Sequence, residues 1–188
     1  MNIELLKAAV AAALSRRSVC HDYTHALHVE AVALDIAQSY PVANVAEISA
    51  TALLHDVWDH KFVPDPSAVM QAFKEHLQTA GFSQAAIQRI YDNVEMLSWS
   101  KGQTPETLEG KIVQDADRIT ALGAVGILRA ATYQANNNEA FDLTVQHLID
   151  KCLLLKDRMN FPESRAMASA GHWFLVQFIE RYKRETFF

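Results

Sequence analysis

Cysteine is almost missing from this chain: Cys20 and Cys152 are the only two in 188 residues, far apart and without a Cys-x-x-Cys. That leaves no support for a disulfide framework or a zinc ribbon, and two reduced thiols fit a cytoplasmic setting. A basic excess is missing too. The formal net charge is −5, so the electrostatic footprint of a nucleic-acid binder is absent and a membrane surface is a poor partner. Small phosphorylated molecules stay open, because a metal or a few local cations recruit them. No apolar run approaches the roughly 18 residues of a spanning helix. The opening "MNIELLKAAVAAALSRR" lacks a basic leader, since Glu4 offsets Lys7, and it places arginines where a signal peptide has small residues. It reads as a helix. Internal repeats, low-complexity tracts and a domain linker are likewise missing.

What is present is helical periodicity nearly everywhere, with no useful stretch of strand-like alternation. The pattern predicts helices over about 3–16, 22–39, 44–57, 66–80, 83–97, 106–133 and 139–159, then one from Pro162 to about 183. Asp22 is placed as an N-cap, and Asp65-Pro66 reads as a cap followed by a first-turn proline. Half the residues are apolar and 21% are charged, an ordinary globular balance with ample length to bury a core. The expectation is an all-α, single compact multi-helix domain over 1–188. Trp58, Trp99 and Trp173 are expected as core or pocket wall, Gly123 and Gly126 as points of close helix packing, and Asn136 to Asn138 as a loop.

Polar residues interrupt this pattern in three places. His21, His25 and His28 share one helix face at i, i+4 and i+7. His55 and Asp56 stand side by side at the end of an apolar helix, in "LLHDVWDHKF", where burial costs several kcal/mol unless a partner is supplied. In "KIVQDADRITALGAVGILRA", Asp115 and Asp117 break into core-like positions. Each signal alone is weak, since surface histidines and buried hydrogen-bonded His-Asp pairs are common. Together they supply what a divalent cation needs, imidazole and carboxylate donors converging from different elements. One histidine of the second helix, His55 and Asp56 make three donors, and the downstream stretch offers a fourth. Residues two apart on a helix point about 200° apart, so only one of Asp115 and Asp117 can face a given ion.

The ordered blocks "HDYTHALHV", "LLHDVWDHKF", "VQDADRITALGAVGILRA" and "LLLKDRMNFPESRAMA" resemble the HD-domain metal-dependent phosphohydrolases, in particular a bacterial subgroup described as predicted phosphohydrolases. The resemblance runs from about 20 to 180. It implies one HD-type helical domain, with its core motifs over about 20–120 and C-terminal helices over about 139–183 completing it. It implies that His25, His55, Asp56 and Asp117 bind the metal, which selects Asp117 over Asp115. The chain departs from similar sequences at His28 and Gly171, where arginine is usual, and at Thr120, where aspartate is usual. The metal set is intact, so these changes bear on substrate choice more than on hydrolysis.

Two histidines and two aspartates suit one divalent ion, Mn, Mg, Fe, Co or Ni, and spacing does not choose among them. Such an ion acidifies a bound water and polarises a phosphoryl oxygen. Asp59 and His60, one turn on, are candidates to orient water or protonate a leaving group, with a helix-end carboxylate as the plain alternative for Asp59. Lys61, Arg118 and Lys156 are candidate phosphate contacts, Arg118 foremost. His21 is expected to support the ligands from behind, and Asp115 to do the same by hydrogen-bonding a neighbouring helix or a supporting histidine. The expected substrate is a small phosphate ester or anhydride, a nucleotide above all, for a monomer or homodimer with no stable nucleic-acid or membrane partner. Two other classes compete: a dinuclear, oxygen-using HD enzyme, for which His60 and His76 are the only further histidines between Asp56 and Asp117, and a non-catalytic metal- or nucleotide-binding module.

Overall fold

The computed structural model describes residues 1–18, 20–97, 102–138 and 140–186. Trp99 and the first part of the loop beginning at Ser98 lie outside the described residues. Among the described residues there is no β-strand, and no helix is long and apolar enough to cross a membrane. The protein is all-α. Its contacts gather into two compact units, Met1–Arg17 with His21–Gln114, and Ser18–Cys20 with Asp115–Phe188.

The first unit holds α1 (Ile3–Leu14), α2 (Tyr23–Ala37), α3 (Val45–Leu54), α4 (Pro66–Thr79), α5 (Gln84–Leu97) and the start of α6 (Leu108–Thr120). Each start has a local cause. Asn2, Asp22, Asn44 and Asp65 accept hydrogen bonds from amides three residues on, and Pro66 opens α4 because its missing N–H costs nothing in a first turn. Thr107 does the same for α6, accepting from the Gly110 amide. Gly81, at φ 91°, ends α4. The Phe82 amide there returns to the Leu77 carbonyl at 3.0 Å, a left-handed cap that glycine takes without strain.

Helix α3 is buried on all sides by α1, α2 and α5. Leu53 and Leu54 are fully enclosed beside Leu6 and Val10 of α1 and Ile90 of α5. Trp58 is core, against Tyr91 and Phe73. Two buried carboxylates in this unit are paired: Glu30 with Lys7 at 3.2 Å, and Glu47 with both forks of Arg89. Helix α3 ends at Leu54, three residues earlier than its period suggests. His55 is its C-cap, and the Val57 amide bonds back only to Leu54.

The second unit holds the end of α6, α7 (Gly123–Asn136), α8 (Phe141–His147), a π turn over Leu148–Cys152, α9 (Leu153–Leu155), a 3₁₀ turn over Lys156–Arg158 and α10 (Pro162–Thr186). Two predicted helices are subdivided here. The stretch 106–133 breaks because Leu122 is extended, at φ −100° and ψ 160°, and Gly123 is left-handed at φ 74°. The stretch 139–159 passes through π and 3₁₀ turns that keep Leu148, Cys152 and Leu155 buried. Helices α7 and α10 pack closely at Gly171, where a side chain would press on Leu122. Trp173, expected in a core or pocket wall, is 60% exposed on α10.

Candidate metal centre

Helix α2 starts at the Asp22 cap, which places His25 in its first turn and buries the ring against α3. Helix α3 stops at His55, so the His-Asp doublet projects from its C-terminal end. The result is a tight group of donor atoms. His25 Nε2 lies 3.1 Å from His55 Nε2, and Asp56 Oδ2 lies 3.2 Å from His55 Nε2 and 3.7 Å from His25 Nε2. A metal–donor length of about 2.1 Å sets neighbouring donors about 3.0 Å apart in an octahedron and about 3.4 Å apart in a tetrahedron. Two edges of the observed triangle match those lengths, and the third, between Asp56 and His25, is somewhat longer at 3.7 Å.

The protonation pattern points the same way. His55 Nδ1 is 2.7 Å from the Ala52 carbonyl, which accepts only, so Nδ1 carries the hydrogen and a neutral His55 turns the lone pair of Nε2 inward. That lone pair faces a carboxylate oxygen and a second imidazole nitrogen. Electron-rich atoms at this range repel unless a proton or cation lies among them, and one divalent cation satisfies all three. Behind them, His21 Nδ1 donates to Asp56 Oδ2 at 2.7 Å, the kind of support that fixes a ligand's direction. Burial alone would raise the Asp56 carboxyl; with no metal bound, positive charge on the His55 ring and the hydrogen bond from His21 outweigh it and hold the group well below the usual carboxylate range, as a cation in the same place would. His28, third in the stripe, is exposed.

Past the doublet the chain turns sharply. The Phe62 and Val63 amides return to the Asp59 carbonyl, and Asp59 Oδ1 accepts from the Lys61 amide at 2.9 Å. Asp59 thus caps its own turn, with the Lys61 ammonium 3.9 Å from its other oxygen. His60 is 76% exposed, and His76 is exposed on α4 with its ring on Phe73. Neither has the burial that a second metal-ligating histidine would need.

Two residues of this neighbourhood carried no signal in the sequence. Arg17, just beyond α1, donates from Nη2 to the Val57 carbonyl at 3.1 Å and stacks 4.9 Å from the Phe62 ring centre. Phe62 in turn lies 4.8 Å from the His21 ring. Burial pushes the Arg17 guanidinium down, opposed by the charges of Asp56 and Asp59.

The second unit holds the other candidates. Asp115 is fully buried and accepts from the Asn160 amide and side chain and from the Phe161 amide at 2.8–3.1 Å. It anchors the residues that lead into α10. Burial raises its carboxyl, and the hydrogen bonds of Asn160, Ser164 and Phe161 oppose the rise. Arg118 donates to the Arg158 carbonyl and lies 3.8 Å from Asp115. Asp117 is half-buried on the same turn of α6. Lys156 opens the 3₁₀ turn near His172, whose ring is pushed down by burial and by the Lys156 charge.

No family model matches the chain. A curated relative, the uncharacterised YpgQ of Bacillus subtilis, is 28% identical over 190 residues, 97% of this chain and 92% of that protein. Among solved structures, a protein of Lactobacillus plantarum superposes with a TM-score of 0.86 at 25% identity, over 98% of this chain and 96% of that one. The crystal structure of Bacillus subtilis YpgQ in complex with ADP gives 0.80 at 27%, over 98% and 97%. An HD-superfamily hydrolase from Bacillus thuringiensis gives 0.75 at 28%, over 97% and 95%. The chain is thus similar over nearly its whole length to YpgQ and to an HD-superfamily hydrolase, which supports an HD-domain phosphohydrolase-like family. The His55-Asp56 doublet stands at the end of α3, and the group formed by His25, His55 and Asp56 has the donor chemistry of a divalent-metal site. The likeness to an HD-superfamily hydrolase supports a hydrolase.

Proposed function

We propose that this HD protein is a metal-dependent phosphohydrolase cleaving a phosphate ester or anhydride of a small molecule, with a nucleotide as the favoured substrate. The observation that carries the reading is the triangle of His25, His55 and Asp56 with the inward lone pair of His55. To these three we add Asp117, as the resemblance implies. Its neighbour Asp115 is already committed to the approach to α10. The nucleotide preference is supported by the similarity to YpgQ, whose structure includes ADP.

When bound, a divalent ion supplies an acidified water and neutralises charge on phosphoryl oxygens. The protein's own groups do the rest. His55, locked by Ala52, keeps its ring nitrogen available, and His21 holds Asp56 in line. On this reading Asp59 accepts a proton from water once substrate draws the Lys61 ammonium, now 3.9 Å from it, toward a phosphate, and the exposed His60 protonates a leaving group. Lys61, Arg118 and Lys156 are proposed phosphate contacts; Lys and Arg heads offer donors only and cannot be ligands while charged.

The test is a screen of metal-stripped protein, reconstituted in turn with Mn²⁺, Mg²⁺, Co²⁺, Ni²⁺ and Fe²⁺, against nucleoside mono-, di- and triphosphates. Release of phosphate or pyrophosphate is followed and names the bond cut. Turnover that survives chelation, or oxygen uptake with Fe²⁺ in place of phosphate release, overturns the reading.

A further inference from the structure

One cation of the first unit is used by none of this chemistry, yet it touches both ends of the segment that carries it. Arg17 donates from Nη2 to the carbonyl of Val57, the residue after Asp56, beyond the last turn of α3. The face of the same guanidinium covers the Phe62 ring. Phe62 closes the turn begun at Asp59, since its amide returns to the Asp59 carbonyl at 2.9 Å. Its ring then leans on His21, and His21 holds Asp56 Oδ2. A single planar side chain therefore grips the chain on both sides of Asp59 and presses on the histidine that orients a ligand.

Arg17 Nη1 is buried, and among the described residues it has no hydrogen-bond partner. A buried unpaired donor costs stability, so this arginine is a poor choice if its only work is to hold the fold. We propose that Arg17 is a positioning residue of the metal centre. It fixes the segment 56–62 by bridging Val57 and Phe62 and, through Phe62 and His21, sets the direction of the Asp56 carboxylate. The role rests on the reading of His25, His55 and Asp56 as metal ligands. A planar guanidinium makes both contacts at once, whereas an ammonium at the end of a flexible stem makes one or the other.

The probe is Mn²⁺ alone, titrated calorimetrically into metal-stripped full-length protein, with a thermal melt of each variant. Arg17→Met keeps the apolar stem and removes the unpaired donor. It is expected to melt within a few degrees of the unmodified protein while its Kd for Mn²⁺ rises about tenfold, the low end of losses from such supporting residues. Phe62→Leu is expected to weaken binding similarly, and the double variant to bind no worse than the weaker single, because both act through His21. Arg17→Lys, which keeps the charge and guards against a misfolded methionine variant, is expected to lose at least threefold. Unchanged Mn²⁺ affinity in Arg17→Met or Arg17→Lys overturns the role, as do additive losses in the double variant. A lowered melting temperature without a change in Kd reduces Arg17 to a structural residue. If the unmodified protein itself fails to take up Mn²⁺, the metal reading falls and this role with it; tight binding by wild type and variants alike removes the clamp alone.

Discussion

Asp115 and Asp117 are identical side chains separated by one alanine, and Asp115 has both its oxygens bound to the residues leading into α10. Replacing one carboxylate oxygen by an amide group turns an acceptor into a donor that faces other donors. Asp115→Asn is therefore expected to cost about 1–3 kcal/mol of stability, read by denaturant unfolding, with a smaller effect on metal binding. Asp117→Asn is expected to do the reverse and to weaken Mn²⁺ binding strongly in calorimetry. If Asp115→Asn loses more metal affinity than Asp117→Asn, the carboxylates have been assigned the wrong way round. His55, Asp56 and a histidine of the second helix were legible because each interrupts an apolar helical period, and burial demands a partner for such a residue. The work of Asp115 was not, since its partners Asn160 and Phe161 lie 45 and 46 positions away. Arg17 was illegible for a different reason: it reads as an ordinary cation after α1, and its meaning depends on where Val57 and Phe62 fold.

Elements were legible to the extent that hydrophobic period and caps agree. Helices α1, α2, α4 and α5 begin where Asn2, Asp22, Asp65 and Ser83 supply side-chain acceptors. The miss at 106–133 has a physical cause: apolar residues recur through it at helical spacing, but Leu122 turns extended and Gly123 takes a positive φ. Period alone does not reveal a one-residue break with apolar residues on both sides. Gly123 is the residue the break requires. Its added Cβ would meet Gly171 Cα at an ordinary 3.6 Å, so space is not the obstacle and the backbone is. Gly123→Ala is expected to cost about 1–2 kcal/mol from the left-handed conformation alone. A Gly123→Asn variant, better suited to that region, should recover part of the loss in thermal melts. Equal stability of wild type and Gly123→Ala would show that the α6–α7 junction relaxes away from this conformation. The glycine at 171 makes room for the close approach of α10 to Leu122, so a side chain there would meet resistance from packing.

For the whole molecule, a net charge of −5 works against the proposed anionic substrate, so on that reading recruitment rests on the metal and on local cations. Binding to the folded state alone also stabilises it, by about 2.7 kcal/mol at a hundredfold excess over Kd. Saturating Mn²⁺ is expected to raise the melting temperature of the wild type and leave that of Asp56→Ala unchanged. Acid acts on the metal-free molecule through two partly buried histidines. His147, between α8 and the π turn, is pushed below the usual 6.5, first by burial and then by Lys151; His172 is pushed down by burial and by Lys156. A lowered histidine value means that the folded state resists protonation while the unfolded chain accepts it. Between 6.5 and the folded values the unfolded state therefore binds more protons, and stability rises with pH across that window. Asp56 acts in the same direction, but its folded value is depressed, so its contribution is lost only as pH falls below the ordinary carboxylate value of 3.8. Acid destabilisation of the metal-free protein should thus begin just below pH 6.5, before the contribution of Asp56 is lost. His147→Gln, which keeps a polar group of similar length and removes the titration, is expected to flatten the slope of melting temperature between pH 5 and 6.5 and to leave it unchanged above pH 7. An unaltered slope in that variant would place the acid sensitivity elsewhere, with His172→Gln as the next variant to melt.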